Sequence, residues 1–216
     1  METFRDVETA AYCPRKLYYR RRDPEADDPP SEVADVRELA FRYDELMTDD
    51  AALAAAPTAL TPTQYRSRLG RSRAQFDDWD ALADPDRREV HLAGRECRGV
   101  AHKVLDDPPR PSLVFTGDPP TNGVWEPQTV RLVAAAKALA WERERPVETA
   151  IAEYPAHGIV REVPLTTRRK AAYRSALRTA RAIDGPPARV GNDAKCSPCD
   201  YREECGVQTR SLRSLL

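Results

Sequence analysis

Glu89-Val-His-Leu-Ala-Gly-Arg-Glu-Cys-Arg-Gly-Val-Ala-His-Lys-Val-Leu105 is the stretch on which the fold turns. Glu89 to Leu92 and Arg98 to Leu105 are short β-compatible runs separated by Gly94, the pattern of a hairpin, and Pro111-Ser-Leu-Val-Phe-Thr116 supplies a third strand. Downstream, the run from Pro127 to Arg143 places proline near its first helical position and carries an alanine- and leucine-rich stripe, which predicts a well-buried helix. Two further strands are expected at Thr149 to Tyr154 and Ile159 to Val163, joined by a turn at Ala156-His157-Gly158. Thr166 then caps a helix whose apolar positions Ala172, Tyr173, Ala176, Leu177, Ala180 and Ile183 keep helical spacing until Gly185-Pro186-Pro187 stops it.

Upstream of the hairpin, residues 6–22 predict a short helical segment interrupted at Cys13-Pro14 and ending in a basic run. Asp23 to Pro30, acidic and proline-bearing, predicts a loop. From the N-cap Ser31, the spacing of Val33, Val36, Ala40, Tyr43 and Met47 predicts one amphipathic helix. Residues 48–87, broken by Pro57, Pro62 and Pro85, are expected to be a helical insertion or lid. Strands and helices interspersed in this order define an α/β (α+β) fold, a mixed sheet flanked by helices. At 216 residues and 41% hydrophobic content the chain suits one domain over 1–216.

No run of eighteen or more apolar residues occurs and the N-terminus lacks the pattern of a secretory signal, so a cytoplasmic protein with no membrane partner is expected. The net charge of -1 gives no overall basic footprint, so any nucleic-acid surface must be local. Two local runs qualify. Arg15, Lys16, Arg20, Arg21 and Arg22 interleave with Tyr18 and Tyr19, suiting a phosphate-tracking groove with stacking rings. Arg168, Arg169, Lys170, Arg174, Arg178 and Arg181 partly line one face of the last long helix, where a solvated face is the simpler account.

Five cysteines are an odd number for a disulfide framework, and clustered thiols in a reducing compartment more often bind metal. Cys196-Ser-Pro-Cys199 puts two thiols on one tight turn within the segment 188–207, and Cys205 follows. Three thiolates so close repel unless a metal neutralises them. Cys13, also beside a proline-bound turn, is the candidate fourth ligand, and Cys97 reads as a small buried strand residue. Structural zinc prefers paired knuckles of similar spacing, which this scattered set fits poorly, whereas iron–sulfur clusters accept it.

Three pieces, Ala11-Tyr-Cys-Pro-Arg-Lys-Leu-Tyr-Tyr19, Ala152-Glu-Tyr-Pro-Ala-His-Gly-Ile-Val-Arg-Glu-Val-Pro-Leu165 and Cys196 to Cys205, resemble the RecB-like exonuclease family associated with CRISPR systems. The resemblance implies a PD-(D/E)xK restriction-endonuclease-like core and a 4Fe-4S cluster bound by Cys13, Cys196, Cys199 and Cys205. It also implies processing of single-stranded DNA or DNA ends for spacer acquisition in antiviral defence, CRISPR integrase subunits as partners, and Arg15, Lys16, Tyr18, Tyr19, Arg20 and Arg21 as DNA contacts. The family's metal-dependent hydrolysis needs an aspartate on the second strand and a Glu-x-Lys on the third. Here Gly99-Val-Ala-His102 ends in histidine and Leu113-Val-Phe-Thr-Gly117 holds neither acid nor lysine, while the glutamine opening the next helix persists as Gln128.

His102 therefore has two readings, a metal ligand or a neutral histidine in a disused pocket, and Gln128 is either a helix cap or a retained site residue. His91 and His157 read as ordinary strand and turn residues. Mg²⁺ or Mn²⁺ would be required only if hydrolysis survives, with carboxylates drawn from Asp106, Asp118 or Glu126. The other reading is a catalytically inactive DNA- or protein-binding scaffold.

Overall fold

The computed structural model describes residues 1–23 and 30–206. The expected loop across Asp23 to Pro30 lies, apart from its two ends, outside the described residues, as does the last residue of the segment 188–207. Among the described residues six strands form one mixed, open sheet: β1 (Glu2–Thr3), β2 (Arg88–Ala93), β3 (Cys97–Asp106), β4 (Pro109–Val114), β5 (Thr149–Tyr154) and β6 (Ile159–Pro164). The order is β1-β3-β4-β5-β6, with β2 on the free edge of β3; β1–β3 and β4–β5 run parallel and the other pairs antiparallel.

The helices fall into two layers. On one face lie α1 (Phe4–Tyr12) and, after β4, α8 (Glu126–Glu142) and α9 (Thr167–Arg181), packed over Ala101, Leu113, Phe115, Ala150, Ala152 and Tyr154. α2 (Pro14–Arg20) follows α1 and contacts α9. On the opposite face, α4 (Tyr43–Thr48), α5 (Asp50–Ala55), α6 (Pro62–Gln75) and α7 (Trp79–Ala83) bury side chains that cluster with Leu105, Val114 and Ile151, while α3 (Ser31–Glu38) joins the same layer without a buried side chain of its own. Residues 48–87 are thus part of a packed helical layer with its own core. β4 and β5 are buried on both faces, and the polar side chains they carry inside, Arg110, Ser112 and Glu153, are all paired.

Local chemistry sets the helix ends. Thr3 and Asp6 close a capping box on α1, and Thr61 and Gln64 close another on α6, with Pro62 in its first turn. Gly99 of β3 seats the Phe4 ring: a Cβ there would stand 2.5 Å from Phe4 Cδ2. The single amphipathic helix expected from Ser31 to Met47 is instead α3, a 3₁₀ turn at Leu39–Phe41 and α4, separated at Arg42 with φ -126° and ψ 19°. The buried Lys103 Nζ donates to the Ala40 carbonyl at 2.6 Å, taking that acceptor away from a continuing helical ladder. No helix among the described residues is long and apolar enough to cross a membrane.

Candidate metal centre and the histidine pocket

Cys13 is the hinge between two helices. Its N–H donates to Thr9 O at 2.8 Å and its carbonyl accepts from Leu17 N at 3.2 Å, so it ends α1 and begins α2 in extended geometry (φ -159°, ψ 111°) ahead of Pro14. In the tail, Asn192 caps α10 (Asp193–Cys196), and successive turns bond Cys199 N to Cys196 O at 3.2 Å and Cys205 N to Tyr201 O at 2.9 Å. Cys13, Cys196, Cys199 and Cys205, all half-buried free thiols, line one small cavity of about 20 Å³. Among the described residues no three His, Cys, Asp or Glu side chains converge on a single-ion site, so the four thiols wall a space rather than surround a point.

The tail is tied to the first two helices by contacts that do not involve sulfur. Lys195 Nζ donates to Tyr12 O at 3.0 Å while Tyr12 Oη donates to Lys195 O at 3.3 Å. Arg15 Nη1 donates to Pro187 O at 2.8 Å, Lys16 pairs with Asp200 at 2.8 Å, and Tyr19 donates to Glu204 O at 3.1 Å while stacking on Tyr201. Arg15, Lys16, Arg189, Lys195 and Arg202 also line the cavity, a positive wall facing the sulfurs. Burial, then the charges of Cys199, Cys13 and Cys196, pushes the Tyr12 hydroxyl above the usual phenol range. For Arg15, burial works against the charge but is outweighed by its bonds to Tyr19 and Cys205.

The surroundings of His102 are built differently. His102, 3% exposed, accepts the Val114 N–H on Nδ1 at 3.1 Å, filling the gap where β4 leaves the β3 ladder after the Lys103–Ser112 pair. That bond puts the ring proton on Nε2. Burial, reinforced by Arg131, Arg37 and Lys103, holds its pKa well below the ordinary histidine value, so the ring is neutral. Phe115 and Tyr154 lie ring to ring on the same face, and Tyr154 Oη donates to Gln128 Oε1 at 2.6 Å. Gln128 therefore serves a buried tyrosine. Arg131 lies over Phe115 and pairs with Glu8 at 3.2 Å.

The carboxylates proposed as substitutes lie elsewhere. Asp106 is half exposed between Arg87 and Arg143. Asp118 is 92% exposed and meets His157 Nε2 at 3.1 Å, and Glu126 is exposed in the first turn of α8. Cys97 is buried and bonded to Tyr173 Oη at 3.3 Å, apart from the cysteine cavity. His91 is exposed on β2.

The first basic run is engaged by the protein itself. Besides Arg15, Lys16 and Tyr19, Arg20 pairs with Asp6 at 3.3 Å, Arg21 bonds Glu2 and the Ala180 carbonyl, and Arg22 covers the Tyr18 ring at 3.6 Å. The residues interleaved as a groove thus hold α2 against the tail, α1 and α9.

Sequence reasoning missed Lys103, Ser112 and Glu153, a buried polar group on the opposite sheet face. The signal was present: Glu153 is the one charged residue of β5 and Lys103 is followed directly by Val104 and Leu105, and charges set in strand interiors are tolerated only when they pair. No protein-family model and no curated protein matches the sequence.

Proposed function

We propose that this chain is a CRISPR-associated, RecB-like iron–sulfur protein that binds single-stranded DNA or DNA ends and does not hydrolyse them. The observation that carries the reading is the meeting of Cys13 with Cys196, Cys199 and Cys205 around one cavity. The donor set fits a 4Fe-4S cluster: soft thiolates suit it, four scattered cysteines are its usual ligands, and a positive wall offsets the negative charge they bring. When bound, the cluster supplies a covalent staple between the α1–α2 junction and the tail. Tyr12, Arg15 and Lys16 hold those same two segments in register.

The loss of hydrolysis is supported by what stands on the sheet face where catalysis would occur. Two carboxylates must share a divalent cation there, and His102, Phe115, Tyr154 and Gln128 offer an imidazole committed to a backbone amide, two rings and a committed amide. A PD-(D/E)xK ancestry suits the mixed sheet and its central helix α8. The role in spacer acquisition and the integrase partner rest on the resemblance of the three sequence pieces.

Anaerobic purification tests both halves. The expected product is brown, contains iron and acid-labile sulfide, binds single-stranded DNA, and leaves it intact with Mg²⁺ or Mn²⁺. A colourless, zinc-loaded, fully folded protein would overturn the cluster. Cleavage abolished by Asp118→Asn with Glu126→Gln would overturn the loss of hydrolysis.

A further inference from the structure

A second cleft, of about 760 Å³, opens on the far side of α8 from Gln128, between α8, α9 and the turn joining β2 to β3. Its composition is unusual for this molecule. Lys137 and Trp141, one turn apart on α8, face Arg174 and Arg181, two turns apart on α9, with Arg95 from the turn completing the rim. Trp141 is 59% exposed, and among the described residues it is one of three large hydrophobic side chains left in solvent. Lys137 leans on Glu96 at 3.8 Å, but Arg95, Arg174 and Arg181 make no ion pair or hydrogen bond among the described residues. Every cation of the first basic run, by contrast, already has a partner within the protein.

We propose that this cleft is a binding surface for single-stranded nucleic acid, with Trp141 stacking a base and Arg95, Arg174 and Arg181 receiving the flanking phosphates. Three free guanidinium groups beside an exposed indole match a ligand with alternating anionic and planar groups. Arginine is the side chain best suited to bind phosphate through paired N–H donors. An acidic protein segment would satisfy the charges and leave the indole without a complement. The floor is rigid, since Gly94 lies so close to α8 that a Cβ would stand 2.7 Å from Ala138 Cα. The proposal rests on the DNA-binding reading above for its choice of ligand, and it moves the contact surface from α2 to the α8–α9 cleft.

The experiment is fluorescence anisotropy of a labelled single-stranded oligothymidylate with the intact, cluster-loaded protein, across a salt series. A matching oligomer of abasic sugar-phosphate and a polyglutamate competitor serve as the other two probes. Arg174→Ala with Arg181→Ala is expected to weaken oligothymidylate binding at least about tenfold and to flatten the log–log salt slope by about 1.4, two contacts at 0.7 each. Trp141→Ala is expected to weaken oligothymidylate about tenfold and to leave the abasic oligomer unchanged. All three side chains are exposed, so the thermal midpoints should match the wild type. If wild type binds and these variants bind equally with the same slope, the cleft assignment is overturned and the DNA-binding reading stands. No binding by wild type overturns both. Displacement by polyglutamate as strong as by oligothymidylate overturns nucleic acid as the ligand class.

Discussion

Lys103 Nζ lies 2.8 Å from Glu153 Oε2 in an ion pair neither of whose side chains exposes any surface. Every polar valence of the ammonium is used, since it also donates to Ala40 O at 2.6 Å and Leu82 O at 2.9 Å. Glu153 accepts from Ser112 Oγ at 2.5 Å through its other oxygen, and the Phe41 and Tyr43 rings cover the ammonium at 5.1 and 4.9 Å. One side chain thus joins β3 and β5 to the 3₁₀ turn and the end of α7. The ion pair latches the helical layer of residues 31–83 onto the sheet.

Burial holds Lys103 below the ordinary lysine value despite the attraction of Glu153, so desolvation offsets much of what the pair contributes to stability. Lys103→Met should cost about 3–5 kcal/mol in urea unfolding, because it strands a buried carboxylate and two carbonyls. Lys103→Met combined with Glu153→Leu should recover much of that loss. Additive losses in the double variant would show that the two residues do not act as a pair.

His102 gives a pH signature. Its folded pKa lies well below the ordinary value of about 6.5, so below that pH the unfolded chain takes up a proton that the fold refuses. The stability from the neutral ring is therefore full above about pH 6.5 and falls as pH drops, by up to about 1.4 kcal/mol per pH unit, until the folded pKa is reached. His102→Asn preserves an acceptor near Nδ1 for the Val114 N–H and removes the titration. The difference in unfolding free energy between wild type and variant should shrink or change sign from pH 7 to pH 5. A constant difference across that range would contradict a buried neutral histidine.

The elements that proved legible are those where local chemistry and packing agree. The hairpin about Gly94, the proline-led α8, the Thr166-capped α9 and the break at Cys13-Pro14 all follow from short-range rules. Two features needed three dimensions. The break at Arg42 has no sequence signal, because its cause is Lys103, about sixty residues away, taking the Ala40 carbonyl. The basic run on α2 resembles a DNA groove in sequence, yet its partners Asp6, Asp200, Pro187 and Ala180 come from the protein's own segments, which sequence spacing alone cannot bring together. The cysteines lie between these cases: type and spacing group them in the sequence, the fold puts all four on one cavity, and the positive wall opposite them is visible only after folding.

Gly99 carries a packing prediction of its own. Adding a Cβ brings an atom within 2.5 Å of the Phe4 ring, which is 2% exposed and sits where α1 begins. Gly99→Ala should destabilise by about 1–3 kcal/mol, the range of overpacked cores, and Phe4→Leu in the same chain should return part of it. The readout is the thermal midpoint of the two single variants and the double. A Gly99→Ala midpoint equal to wild type would mean that β3 and α1 are not in this contact.

The cysteines can be separated by role in one series. Cys13→Ser and Cys199→Ser should each lose most bound iron and sulfide, whereas Cys97→Ser should keep both, because Cys97 lies apart from the cavity and bonds to Tyr173. The loss should loosen the tail without unfolding the sheet, since the core between the sheet and α1, α8 and α9 contains none of the four ligands. The contacts of Tyr12, Arg15, Lys16 and Tyr19 remain to hold the tail in part. Limited proteolysis should therefore cut the Cys13→Ser and Cys199→Ser variants faster between residues 187 and 206, and faster still when Lys16→Ala is added. Equal iron content in Cys13→Ser and wild type would remove Cys13 from the ligand set and leave the three tail cysteines to bind metal without it.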